Sequence, residues 1–353
     1  MSKRRTTVMA AVALVSAMTV LTAPGAAYAS PARPAPPSTA DSGKDLEAVR
    51  AQLDGLYHDA AVATDAYNAA EEKAEKQSRQ IVQLAKDIVA GQKKLDRLKS
   101  RAGAAARQQY RDGGLPPEAQ LMLSDDPSRF LDGADRMRQG QHATKGLMGE
   151  MTRTQEDLQT YAQDASRNWK KLEANRKEKA RAQKKIKSRI AAAEKIESQL
   201  EKEERERLKK LEQQAEYKAQ TAWLSSGVLK DIRSSASARG KKAVAFATGE
   251  IGKPYVWGAE GPDSYDCSGL TSQAWSAAGR PIPRTSQEQW KQLKHIGIKD
   301  MRPGDLIIYH DDASHVGMYI GDGAIVHAPR PGRSVTIAGA GSMAILGVVR
   351  PDA

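Results

Sequence analysis

The chain has 353 residues, a single cysteine, and a formal net charge of +12 from 55 Lys and Arg against 43 Asp and Glu. One cysteine rules out an intramolecular disulfide, so the thiol serves either reactivity or packing. No apolar stretch reaches the roughly 20 residues of a membrane-spanning helix, and without a recognisable binding motif the basic balance does not point to nucleic acid.

The N-terminus reads as a secretory signal peptide over residues 1–29. Lys3, Arg4 and Arg5 precede an apolar stretch from about Val8 to Ala23, and Ala27-Tyr28-Ala29 forms a small-residue cleavage site. The mature protein is therefore expected to be secreted to the cell envelope. Residues 30–43, with Pro31, Pro34, Pro36 and Pro37, read as a flexible leader.

A helical arm is expected over residues 44–220. Leu46, Val49, Leu53, Leu56, Ala60, Ala63, Tyr67, Ala70, Ala74, Ile81, Leu84, Ile88, Leu95 and Leu98 recur at the three-four spacing of a heptad seam, interrupted at Gln77 and Gly91. Gly113, Gly114, Pro116 and Pro117 stop this helix. A tip near 112–140 carries Leu121, Met122, Leu123, Phe130 and Leu131, and a second helical region runs from about Gln141 to Gln220. Folding back as an antiparallel coiled-coil hairpin is the simplest outcome, but a dimeric coiled coil gives the same pattern, so the oligomeric state stays open. Residues 241–353 carry 12 Lys and Arg against 11 Asp and Glu. Most of the positive excess therefore belongs to the arm and its flanks, and suits an anionic envelope.

Ser225, Ser226, Gly227, Ser234, Ser235 and Ser237 mark a linker over 221–240. From residue 241 the composition turns globular, with enough chain for one small core. Cys267 lies in Tyr265-Asp266-Cys267-Ser268-Gly269, after a turn-like stretch and before a helix-favouring run that ends at Gly279. At a helix start, unpaired N–H groups and the helix dipole favour a thiolate. Strands are expected at 305–309, 315–320 and 324–328. A three-residue loop Gly321-Asp322-Gly323 would pair Tyr319 with Ile325 and Gly317 with His327, which makes His315 a diagonal neighbour of His327; a two-residue loop would put them on opposite faces. This constellation suits a thiol nucleophile (Cys267), a base (His315) and an orienting residue (His327). Zinc held by the same three residues is the chemical rival. His310 is a weaker base candidate, and His58, His142 and His295 look peripheral.

Gly252-Lys253-Pro254-Tyr255-Val256-Trp257-Gly258, Asp266-Cys267-Ser268-Gly269-Leu270, Pro283-Arg284-Thr285-Ser286-Gln287, Pro303-Gly304-Asp305-Leu306, His315-Val316-Gly317-Met318-Tyr319 and His327-Ala328-Pro329 together resemble the NlpC/p-sixty family of cell-wall cysteine peptidases. The resemblance implies an α+β, papain-like domain that hydrolyses peptidoglycan stem peptides, commonly between γ-D-glutamate and the diamino acid at position three, without a cofactor or metal. It assigns Cys267, His315 and His327 to catalysis and Tyr255 to the oxyanion site. Asp266, Ser268, Arg284 and Ser286 match groove-lining positions, although Asp266 could instead cap the nucleophile helix. The arm is similar to those of division-associated wall hydrolases, so a peptidoglycan substrate and an envelope membrane complex are the expected partners. A non-catalytic wall-binding scaffold and a thiol amidase or acyl transferase are the alternative functions. The arm is expected to control access to the groove, with the apolar tip as a candidate cover.

Overall fold

The computed structural model describes residues 41–353 except 112–118, 120–121, 123–126 and 233–234. The expected signal peptide, most of the leader, and Leu121 and Leu123 of the expected tip lie outside the described residues. Residues 44–353 form one compact unit.

Helices α1 (Asp41–Arg111) and α2 (Pro127–Gln199) build the arm. Their contacts run antiparallel: Lys94 pairs with Glu150 at 3.0 Å, Gln77 meets Asn175 at 2.7 Å, and Asp59 reaches Arg189 at 3.0 Å. Heptad positions Leu53, Ala60, Ala63, Ala70, Leu95 and Leu98 are buried, as the spacing predicts. Both interruptions of the seam have a partner across it. Gln77 accepts from the Asn175 amide, and Gly91 leaves the room that the Leu158 side chain occupies, since a Cβ there would come within 2.9 Å of it. Helix α3 (Lys202–Ser225) opens with a capping box between Glu201 and Glu204. It continues into the serine-rich segment as far as Ser225, and a short α4 (Val228–Asp231) follows. Leu53 and Tyr57 of α1, Ala193 of α2 and Leu208 of α3 form a separate apolar cluster.

The C-terminal domain is α+β. Helices α5 (Ala238–Gly249), α6 (Cys267–Ala277) and α7 (Ser286–Gln292) precede the strands β1 (Lys294–Ile296), β2 (Leu306–Tyr309), β3 (His315–Gly321), β4 (Ala324–His327), β5 (Thr336–Gly339) and β6 (Ile345–Arg350). Every pairing is antiparallel, in the order β1-β6-β2-β3-β4-β5. Side-chain alternation divides the core. Leu306, Ile308, Val316, Met318 and Val326 pack with Leu270, Ala274 and Trp275 of α6. Ile307, Tyr309, Tyr319 and Ile325 face the other way, where Trp223 of α3 and Ile232 join the second cluster. The return helix of the arm thus supplies part of the domain's own packing.

The β3–β4 connection differs from the expected three-residue loop. Met318 pairs with Val326 and Tyr319 with Ile325, as that loop requires, but Gly321 pairs with Ala324 across a register shift. The turn itself is Asp322-Gly323, both with positive φ, and Ile320 is bulged. One extra residue in the strand offsets the missing residue in the turn, so the histidines keep to one face.

Candidate functional site

Asp266 organises the start of α6. Its carboxylate caps the helix by accepting from Gly269 N at 2.7 Å. It also accepts from Gly258 N at 3.0 Å and from both Nη atoms of Arg284 at 2.9 and 2.7 Å. Arg284 further donates to Glu260 at 2.6 Å and Ser268 Oγ at 3.0 Å. Asp266 and Arg284 therefore form a fork-on-fork ion pair that Ser268 Oγ joins at the start of α6, and Asp266 makes the capping contact of that helix. Gln289, which sequence reasoning missed, holds the 283–286 loop against α6 through Pro283 O, Ser268 O and Thr271.

Cys267, the first residue of α6, is buried in the same cluster as Tyr255. His315, on β3, and His327, at the end of β4, are also buried, and His315 Nε2 lies 2.9 Å from His327 Nδ1. Gly317 makes room for this pair: a Cβ there would stand 3.5 Å from His327 Cβ and 2.7 Å from Ile325 Cδ1. His295 stacks on Trp290 at 3.8 Å, away from the pair. Among the described residues, no group of three His, Cys, Asp or Glu is placed to hold a metal ion.

The expected thiolate is not favoured in this arrangement. Burial pushes the Cys267 thiol well above its ordinary range, and the carboxylates of Asp65 and Asp266 push it further, against the opposing Arg284. Burial likewise drives His315 well below its ordinary value, helped by His327 and His310, and lowers His327 to about 4. Desolvation is the largest cause of the shift in all three groups, and it disfavours the charged form of each.

The cover responsible for this burial is α1. Asp65 Oδ2 accepts from Ser286 Oγ at 3.1 Å and Gln287 Nε2 at 2.7 Å, and Asn68 Nδ2 donates to Asp266 Oδ2 at 3.1 Å. Thr64 meets the side chain of Tyr255, and Tyr67 packs edge-on against Trp257 at 5.1 Å. His58, expected to be peripheral, lies 3.1 Å from Asp312 and edge-on to His310 at 5.1 Å. Among the described residues of the expected tip, Met122 and Leu131 are exposed and cover nothing. A compositional signal for the cover does exist. Residues 59–70, DAAVATDAYNAA, contain no Lys, Arg or Glu, which fits a helix stretch packed on two sides.

The NlpC/P60 family model matches residues 252–343, spanning Tyr255, Cys267, Arg284, Ser286, His315 and His327. The C-terminal domain is an NlpC/P60 domain. A probable endopeptidase of Corynebacterium glutamicum is 46% identical over 93 residues, which are 26% of this chain and 44% of that protein. The probable endopeptidase p60 of Listeria monocytogenes is 41% identical over 87 residues, 24% of this chain and 18% of that protein. A solved structure, the NlpC/p60 domain of the peptidoglycan hydrolase SagA, is 33% identical, covering 31% of this chain and 97% of that one with a TM-score of 0.30. The chain spans less than half the length of these curated relatives, and the similarity lies in the NlpC/P60 domain.

Proposed function

We propose that the protein is an exported peptidoglycan hydrolase, a cysteine endopeptidase that cuts stem peptides at the bond between γ-D-glutamate and the diamino acid. The observation that carries this is the buried His315–His327 pair, 2.9 Å apart, in the same NlpC/P60 domain as a thiol at the N-terminus of a buried helix. The names of the relatives, probable endopeptidase and peptidoglycan hydrolase, support the substrate class.

With His315 Nε2 engaged by His327 Nδ1, Nδ1 of His315 is the nitrogen left for the thiol. For it to accept a proton, the His315 hydrogen must sit on Nε2 and donate to His327, which fixes tautomer and ring orientation. Cys267 Sγ attacks the amide carbon as its proton passes to His315. The oxyanion is met by the Cys267 N–H and the Tyr255 hydroxyl. Collapse breaks the C–N bond, the amine leaves with the proton from His315, and water then cleaves the thioester with His315 as base. The groove lined by Ser268, Arg284 and Ser286 orients the stem peptide.

Digestion of purified peptidoglycan by wild type and Cys267→Ala, followed by mass spectrometry of the released fragments, tests this. Wild type should release peptides cut within the stem, and Cys267→Ala none. Stems severed whole from the sugar would assign an amidase, and undiminished release by Cys267→Ala would overturn the thiol mechanism.

A further inference from the structure

We propose that residues 57–68 of α1 are a proton-keyed latch on the catalytic groove, closed while the carboxyl of Asp65 is protonated and loosened when it ionises. This rests on the assignment of the groove around Cys267 as the catalytic site.

Placement is the first argument. Along this stretch Ala60 and Ala63 belong to the seam of the arm, while Thr64, Asp65 and Asn68 point into the domain and are only 3%, 4% and 3% exposed. Polar side chains are seldom so buried unless they are partnered. Asp65 is partnered by Ser286 and Gln287, Asn68 by Asp266, and Thr64 by Ala60 O and Tyr255, so α1 occupies hydrogen-bonding groups that a peptide entering the groove would need. The contacts of Asp65 and Asn68 are hydrogen bonds, each contributing about 0.5–1.5 kcal/mol net. Such a cover can be lifted, unlike the apolar anchorage of Trp223 behind the sheet.

Charge is the second. The groups facing Asp65 are Ser286 and Gln287 from α7, Asp266 and Cys267 at the start of α6, Arg284 and Tyr255. Arg284 is the one cation among them, and Asp266 and Glu260 already bind it. An ionised Asp65 would add a second buried carboxylate beside Asp266 with no cation of its own. Burial accordingly pushes the Asp65 carboxyl up to about 8; Asp266 adds to this, while Gln287, Ser286 and Arg284 oppose it. Out in solvent the same carboxyl has the ordinary value of about 4. The closed state therefore binds the proton more tightly. Closure is strongest below pH ~4, weakens about tenfold per unit as pH rises towards 8, and levels off above that.

Cys267 is the only cysteine, so alkylation by iodoacetamide reads its exposure directly and needs no wall substrate. The full chain is labelled between pH 5.5 and 8.5 as wild type, Asp65→Asn and Asn68→Ala. Thiol ionisation affects all three, so the ratio of wild-type to Asp65→Asn rate isolates the latch. That ratio should rise about tenfold per pH unit and flatten near pH 8, because the amide mimics a permanently protonated carboxyl. Asn68→Ala keeps the titrating group and loses one contact, so it should react faster than wild type at every pH. A flat ratio overturns the proton key, and Asn68→Ala labelled at the wild-type rate throughout overturns the latch. Neither result depends on whether peptidoglycan is cut, so failure of the proposed activity would register separately.

Discussion

His315 and His327 share one hydrogen bond but would serve different ends, and substitution should separate them. Loss of a general acid–base typically costs about 10²–10⁴-fold in rate, so His315→Ala should abolish measurable peptidoglycan cleavage. His327→Ala removes only the group that holds the ring. It should retain more activity, and His327→Gln, which can still accept from His315 Nε2, should recover part of the loss; equal losses in His315→Ala, His327→Ala and His327→Gln would contradict the division of roles. Burial also makes both histidines acid-sensitive. A group whose folded pKa lies below its unfolded value contributes stability above the unfolded value, which is lost as pH falls through the folded one. For His327, lowered to about 4, that window runs from about 6.5 down to 4. Its share is roughly 3 kcal/mol at most, at 1.4 kcal/mol per unit. The Tm of wild type should therefore fall between pH 6.5 and 4, and that of His327→Gln should fall less. Asp65 acts with the opposite sign, but on closure of the groove, so acid should tighten the latch while weakening the domain beneath it.

Among the elements, the β3–β4 hairpin is the most exacting, because its register decides whether His327 reaches His315. Gly317→Ala tests that tolerance. The new methyl would lie 2.7 Å from Ile325 Cδ1 and 3.5 Å from His327 Cβ, so Ile325 must shift within a packed sheet, at about 1–3 kcal/mol. We expect a lower Tm together with a disproportionate loss of cleavage, since the displaced strand carries the orienting imidazole. Unchanged activity at a lowered Tm would mean that the pair tolerates the shift. Tyr319 facing Ile325 was legible from turn residues between β-forming runs, and the arm seam from its three-four spacing. The Ile320 bulge was not legible, because nothing in Tyr319-Ile320-Gly321 distinguishes a bulged residue from a loop residue. Nor was the closed groove. Heptad spacing reports one face of a helix, and the second buried face of α1 pairs Asp65 with residues 221 and 222 positions away. The thiolate expectation failed for the same reason: it weighed the helix start without the helix that lies over it.

Across the whole molecule, among the described residues, the arm grips the domain at three places. Behind the sheet, Gln220 of α3 donates to Gly323 O at 3.0 Å and accepts from Gly341 N at 2.6 Å. In front, residues 57–68 of α1 cover the groove. Between them stands Arg330, on the loop after β4. It donates to Glu212 of α3 at 2.8 Å, lies 3.5 Å from Glu197 of α2, and stacks over the Tyr57 ring at 4.1 Å. It thereby ties all three arm helices to the domain at the base of the latch. Arg333 reaches the same Glu212 but is 40% exposed against 21% for Arg330. Exposed pairs contribute about 0–1 kcal/mol, whereas stacking and partial burial add to that. Arg330→Met should lower the Tm by several degrees and speed Cys267 alkylation at every pH, with the wild-type pH slope kept because Asp65 is untouched. Arg333→Met should change either quantity only slightly. Equal effects of the two substitutions would mean that Glu212 alone, rather than the stacked junction on Tyr57, holds the base of the latch.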